Sequence, residues 1–318
     1  IRDRCLLDAG HRVRVMVRAA SPLANIRDLD VERVTADLAE PGTLRKAVEG
    51  CNTLFHVAAN YHLWVRNSSD FYRVNVEGTK ALMQAAANEG VDKIIYTSSV
   101  ATLGLNTDGT PADENTPVSL ADMIGHYKRS KYLAEQAVQQ MIDKQQLSAV
   151  IVNPSTPIGP RDIRPTPTGR TVLDAACGRM PAYVDTGLNV VHVDDVAKGH
   201  LLALEHGKVG ERYILGGQDM TLKEIFEVIS EICGRPAPTI RLPHNLVLPI
   251  AYVSEAWAWL MRGPEPRATV DGVRMSRKFM YFCSEKAGRE LGYAARPARE
   301  ALKDAVDWFL KHDYCTKT

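Results

Sequence analysis

Short strand-like runs separated by longer amphipathic stretches are the feature that most limits how this chain can fold. Residues 13–17 alternate and are rich in valine, and residues 31–35, 53–57, 94–97 and 149–152 also read as short strands. Between them, residues 41–48 read as a helix with Pro41 in its first turn. Phe71, Val74, Gly78, Ala81, Leu82 and Ala85 mark a long helix that should end near Gly90. Leu133, Ala134, Ala137, Val138, Met141 and Ile142 mark another. Parallel strands need crossovers of this length, so the alternation predicts a doubly wound α/β fold, a parallel sheet with helices on both faces. In such a sheet, ligands sit at the carboxyl ends of the strands. Thr97-Ser98-Ser99 and Asn153-Pro154-Ser155 both fall there.

The texture changes after Pro157. Residues 159–169 are rich in proline and glycine and read as loop. Residues 190–193 read as a strand, with Asp194 and Asp195 capping the helix beyond it. Residues 212–215 read as a strand stopped by Gly216-Gly217, and Thr221-x-x-Glu224 as a capping box. Residues 297–310 predict a last amphipathic helix. The pattern divides the chain into a dinucleotide-binding portion, 1–160 with 186–216, and a smaller, mainly helical substrate portion, 161–185 with 217–318. Residues 246–261 are the longest apolar run, short of the roughly 20 residues that span a bilayer, and they include Pro249 and Glu255. They read as a core or dimer helix, the wall of a lipid pocket, or a helix resting on a membrane.

Composition narrows the chemistry. A net charge of +1 gives no global attraction to nucleic acid. Six cysteines without Cys-x-x-Cys spacing read as reduced cytoplasmic thiols, and nine histidines that do not cluster predict no metal. No signal peptide opens the sequence.

Tyr127 and Lys131 lie four apart, on one helical face. A phenol shuttles protons poorly near neutral pH, and a neighbouring ammonium favours the phenolate. A drop of about 3 units, roughly 4 kcal/mol, would bring Tyr127 into range for acid–base catalysis. Ser99 could then hold the substrate oxygen that gains or loses the proton.

Together these residues resemble the extended short-chain dehydrogenase/reductases, a family of Rossmann-type folds within the NAD-dependent epimerases and dehydratases. Tyr127-Lys128-Arg129-Ser130-Lys131 is similar to the family's Tyr-x-x-x-Lys, and Thr97-Ser98-Ser99-Val100 to its serine segment. His56-Val57-Ala58-Ala59 resembles its cofactor-lining segment, and Asn75-Val76-Glu77-Gly78-Thr79 the helix whose asparagine braces the site. Asn153-Pro154-Ser155 resembles the loop beside the nicotinamide, and residues 192–197 a further signature. Residues 100–104, 122–126 and 153–160 are most similar to hopanoid-associated sugar epimerases, with dihydroflavonol 4-reductases as relatives.

The resemblance implies that Tyr127 is the acid/base, that Lys131 lowers its pKa and holds the nicotinamide ribose, and that Ser99 orients the substrate. Asp37, with Leu38 beside it, would meet the adenine, and Ala58, Ala59, Thr97, Asn153, Pro154 and Ser155 would line the dinucleotide. Arg18, ending the second strand of the family fold, would welcome a 2′-phosphate and favours NADP over NAD. The resemblance implies first a sugar (nucleotide) epimerase, which a tightly held NAD would suit; the alternative is a dihydroflavonol-4-reductase-like carbonyl reductase that consumes NADPH, and a redox sensor that binds dinucleotide without catalysis is a third reading. Arg161 and Arg170, with Arg164 and Arg179, could clamp an anionic substrate, and Tyr61 could stack on its ring. The family opens with a strand and a Gly-x-x-Gly-x-x-Gly loop, and the given sequence begins in the helix after them. The expectation is that a segment is missing from it, or that these 318 residues hold dinucleotide abnormally.

Overall fold

The computed structural model describes residues 2–263, 265–266 and 268–316, so Ile1 of the expected first helix lies outside the described residues. Helix α1 (Arg2–Asp8) packs on a later helix and ends where Gly10 adopts φ +83°. Strands β1 (Arg14–Val17) and β2 (Glu32–Thr35) follow and pair in parallel. A 3-10 turn, Pro41–Thr43, leads into α2 (Leu44–Val48), and then comes β3 (Thr53–His56). The expected long helix is in three pieces: α3 (Ser69–Tyr72), a π-helical segment Arg73–Glu77, and α4 (Gly78–Asn88). The extra residue per turn lets Asn75 face inward, where it is 2% exposed. Strand β4 (Lys93–Thr97), helix α5 (Gly125–Gln145) and strand β5 (Ala149–Pro154) complete the first half.

Strands β3, β4 and β5 form a parallel ladder with a later strand, Arg212–Leu215. Alternation explains its burial. Ile94 and Tyr96 point to one face, with Ala149 and Ile151, and meet Met83 and Ala86 of α4 and Ala134 and Val138 of α5. Ile95, Val150 and Val152 point to the other face. All of β5 is buried, as a central strand covered twice must be, and each large apolar side chain there gains about 1.5–3 kcal/mol. Among the described residues no strand joins the β2–β1 ladder to β3, although Met16 and Leu54 lean on one cluster around Leu38, Leu44 and Leu82.

The second half begins with β6 (Thr156–Ile158), α6 (Pro167–Ala176), β7 (Ala182–Tyr183) and β8 (Gly187–His192). Then come α7 (Val193–His206), β9 (Arg212–Leu215), β10 (Gln218–Thr221) and α8 (Leu222–Cys233). Strand β11 (Ile240–Arg241), α9 (His244–Leu260), α10 (Val270–Met275), β12 (Phe279–Met280), α11 (Glu285–Leu291) and α12 (Ala298–Lys311) finish the chain. Helices α7 and α11 cover the second face of the parallel sheet through Val196, Ala203, Ala287 and Leu291. A separate core gathers α6, α8 and α12 around Val172, Phe226, Leu302 and Phe309. No helix among the described residues is long and apolar enough to cross a membrane.

Several expectations need correction. The loop expected over 159–169 ends early, because Thr166 caps Gly169 N–H and Pro167 starts α6 without needing its missing donor. The cap of α7 is His192, which accepts from Asp194 N–H; Asp195 instead binds Arg296 at 2.9 Å. Strand β8 pairs with β6, β10 and β12 rather than with the β3–β4–β5–β9 ladder. Cys177 and Cys315 are not reduced thiols: their Cα atoms are 5.4 Å apart and they form a disulfide across 138 residues of sequence. Sequence spacing carried no sign of that pair, because α12 folds back onto α6 before the cysteines meet.

Candidate active site

Helix α5 begins at Gly125, whose φ of +76° favours glycine and whose missing Cβ leaves room for the Asp271 carboxylate. That start sets Tyr127 and Lys131 one turn apart beside the end of β4. Ser99 follows β4 and caps a 3-10 turn, Val100–Thr102, by accepting from Ala101 N–H at 3.1 Å. Its hydroxyl lies near enough to the Tyr127 phenol to favour the phenolate. The three expected catalytic residues therefore stand together.

Their electrostatics differ from expectation. Burial raises the pKa of Tyr127, and the nearby Ser99 hydroxyl opposes the rise. The lysine ammonium donates to Thr97 O at 3.0 Å and lies over the Tyr96 ring, 5.2 Å from its centre. Burial lowers the Lys131 pKa to about 8, partly offset by Glu135. A charge poised so close to neutrality responds strongly to any new neighbour.

Two buried networks hold this group. On one side Asn75 donates to Asn60 O at 3.0 Å and to Ser130 Oγ at 2.9 Å, and accepts from Asn60 N–H at 2.7 Å. Ser130 in turn donates to Tyr127 O. Asn75 thus ties the loop after β3 to the turn that carries Tyr127 and Lys131. Tyr72 meets His126 at 3.0 Å beside it.

On the other side Asn153 donates to Ser99 O at 3.1 Å, Thr102 Oγ1 at 3.2 Å and Glu135 Oε2 at 2.8 Å. Its amide nitrogen thus supports Ser99, while its Oδ1 is buried without a hydrogen-bond partner. Glu135 also takes Thr102 Oγ1 at 2.9 Å and pairs with Arg212 at 3.3 Å. Sequence reading missed Glu135, although Tyr127, Lys131 and Glu135 recur at four-residue steps on one helical face. It also missed His200, which meets Thr97 Oγ1 at 2.8 Å.

The residues expected to hold a dinucleotide follow the carboxyl ends of successive parallel strands. Arg18 is exposed directly after β1. Asp37 follows β2 and accepts from Ala39 N–H at 2.9 Å. Leu38 is buried in the core, where Gly78 of α4 approaches its carbonyl so closely that a Cβ would lie 2.7 Å away. Ala58 and Ala59 follow β3, Thr97 ends β4, and Pro154 and Ser155 close β5. Ser98 Oγ and Ser155 Oγ are buried at these ends without a hydrogen-bond partner.

The substrate candidates are less unified. Tyr61 is 44% exposed, stacks on His62, and feels the charges of Asp162 and Arg164. Arg161 adopts φ +67°, and its carbonyl accepts from Asn25 at 3.1 Å. Arg170 is exposed on α6. Arg179 leaves the group, since it binds the carbonyls of Tyr314 and Cys315 and the Asp174 carboxylate. Among the described residues no set of histidine, cysteine, aspartate or glutamate could hold a metal.

The family model described as "NAD dependent epimerase/dehydratase family" matches residues 4–216. A dihydroflavonol 4-reductase-like protein of Synechocystis sp. is 45% identical over 315 residues, which is 98% of this chain and 91% of that protein. Sterol demethylase protein B of Methylococcus capsulatus is 35% identical over 310 residues, 96% of this chain and 93% of that protein. The crystal structure of gox2253 is 54% identical, with a TM-score of 0.87 over 98% of this chain and 94% of its own.

Proposed function

The chain belongs to the NAD-dependent epimerase/dehydratase family, and we propose that it transfers hydride between a nicotinamide dinucleotide and a carbinol or carbonyl carbon. The observation that carries this reading is the placement of Ser99, at the turn after β4, beside the first turns of α5, where Tyr127 and Lys131 stand one turn apart and the lysine reaches Thr97 O. In this reading Ser99 orients the substrate oxygen and Tyr127 gives or takes its proton. Lys131 holds the nicotinamide ribose. Bound dinucleotide supplies or accepts the hydride, and the two unpartnered buried serine hydroxyls at the ends of β4 and β5 fit a polar group arriving there. Residues 1–160 with 186–216 bind the dinucleotide, and 161–185 with 217–318 shape the substrate pocket.

The direction we favour is NADPH-dependent reduction of a carbonyl. Arg18 after β1 offers a cation for a 2′-phosphate, and the similar Synechocystis protein is described as reductase-like. The substrate class we favour is apolar, since the Methylococcus relative is named for a sterol and α9 presents a large apolar surface. Epimerisation of a sugar is the second reading, supported by the resemblance of residues 100–104, 122–126 and 153–160 to hopanoid-associated epimerases.

Mass spectrometry of the copurifying dinucleotide, followed by a carbonyl screen, separates the two. Stoichiometric NADPH oxidation supports reduction, and retained NAD without net turnover supports epimerisation. For the shared step, Tyr127→Phe should lower turnover by about 10²–10⁴-fold while leaving dinucleotide affinity intact. Near-normal turnover in that variant would refute the assigned role.

A further inference from the structure

Helix α9 points its larger side chains away from the protein. Leu246, Ile250, Val253, Trp257 and Leu260 form one stripe at helical spacing, each between 57% and 70% exposed. Tyr252, Trp259 and Met261 flank it, also at least half exposed. The buried side has Ala251 and Ala258, and Ala251 packs with Val270 and Val273 of α10. An outward apolar stripe of this size marks an interaction surface rather than ordinary scatter.

Cations border the stripe along its length. Arg277 donates to Asn245 at 2.8 Å near the start of α9, Arg274 to Tyr252 Oη at 2.9 Å in the middle, and Arg66 to Trp259 O at 3.0 Å near the end. All three are exposed. Among the described residues only Arg274 has an acidic partner, Asp271 at 4.0 Å. Residues 241–278 carry six basic and three acidic side chains, a surplus of three in a chain whose net charge is +1.

We propose that α9 lies flat on an anionic lipid surface, with its tryptophans and aliphatic stripe in the headgroup boundary and its arginines on the lipid phosphates. A helix of 17 residues is about 26 Å long, enough to anchor in the plane. Two-fold pairing with a second copy through this face would bring the two sets of arginines together, whereas anionic headgroups neutralise them. The segment that follows α9 reaches the candidate active site. The Asp271 carboxylate on α10 abuts Gly125 at the start of the Tyr127 helix, and Glu265 accepts from Leu63 N–H at 3.0 Å and Trp64 N–H at 3.2 Å. An apolar substrate could therefore reach the crevice from the bilayer. Docking itself does not depend on the catalytic reading.

The test uses the 318-residue chain without dinucleotide or substrate, sedimented with phosphatidylcholine vesicles that do or do not contain phosphatidylglycerol. The wild type should pellet with the anionic vesicles, with a blue shift in tryptophan emission, and salt should weaken the association. A Val253→Glu/Trp257→Glu variant, checked for unchanged thermal unfolding, should bind about tenfold or more weakly. Arg66→Gln/Arg277→Gln should lose binding to anionic vesicles while leaving the apolar stripe untouched. Failure of the wild type to bind anionic vesicles overturns the proposal, as does equal binding by both variants. A concentration-dependent dimer that Val253→Glu/Trp257→Glu dissociates, without vesicle binding, overturns it in favour of a second copy.

Discussion

The Lys131 ammonium rests on the Thr97 carbonyl beneath a nearly closed surface, and its lowered pKa has consequences for stability. Unfolded, a lysine releases its proton near pH 10.5; folded, this one does so near 8. Between those values the unfolded chain binds more protons, so stability rises with pH across that window; below about pH 8 the charged, buried lysine is a constant cost. That cost is about 3 kcal/mol by linkage. Burial lowers the pKa of the neighbouring Lys128 to about 8 as well, so denaturant unfolding between pH 8 and 10.5 should show the rise in wild type and a clearly smaller one in Lys131→Met. A flat wild-type curve would count against this burial. The sequence placed Tyr127, Lys131 and Ser99 in one crevice because four-residue spacing and strand ends are local properties. It misjudged the phenol's pKa because desolvation depends on what packs around α5, which the motif does not contain.

Helix α5 does more than present the tyrosine. Through Glu135 it reaches β5 at Asn153, the turn after Ser99 at Thr102, and β9 at Arg212. A neutral Glu135→Gln keeps the shape but weakens the charge-assisted bonds that aim Asn153 at Ser99 O. Arg212 is a third exposed and can be hydrated, so the loss of stability should stay near 2 kcal/mol. Turnover should fall with little change in the Michaelis constant for dinucleotide, which a purely structural role would not separate. Chemical denaturation together with steady-state kinetics checks both. Elements were read most accurately where pattern and burial coincide, as in β4 and β5. The π-helical turn around Asn75 was not legible, since the apolar spacing of residues 71–85 suits an unbroken helix equally well.

At the scale of the whole molecule, the Cys177–Cys315 bridge fastens the residues after α12 to the end of α6. Non-reducing peptide mapping should recover that link, and Cys177→Ser should cost about 2–4 kcal/mol of stability, measured by thermal or denaturant unfolding under oxidising conditions. Contacts this far apart in sequence depend on how α6, α8 and α12 assemble, and no local motif records that. The β1–β2 ladder and the β3–β4–β5–β9 ladder, by contrast, lean on one apolar cluster without sharing hydrogen bonds among the described residues. Backbone amides in β4 and β5, paired on both sides and covered on both faces, should exchange with heavy water only through global opening. Those in β1 and β2, four residues each and half open to solvent, should exchange orders of magnitude sooner. The strand that Arg18 follows would then breathe first, and if Arg18 meets the dinucleotide as proposed, binding should be felt there as slower deuterium uptake before any change is visible near Tyr127.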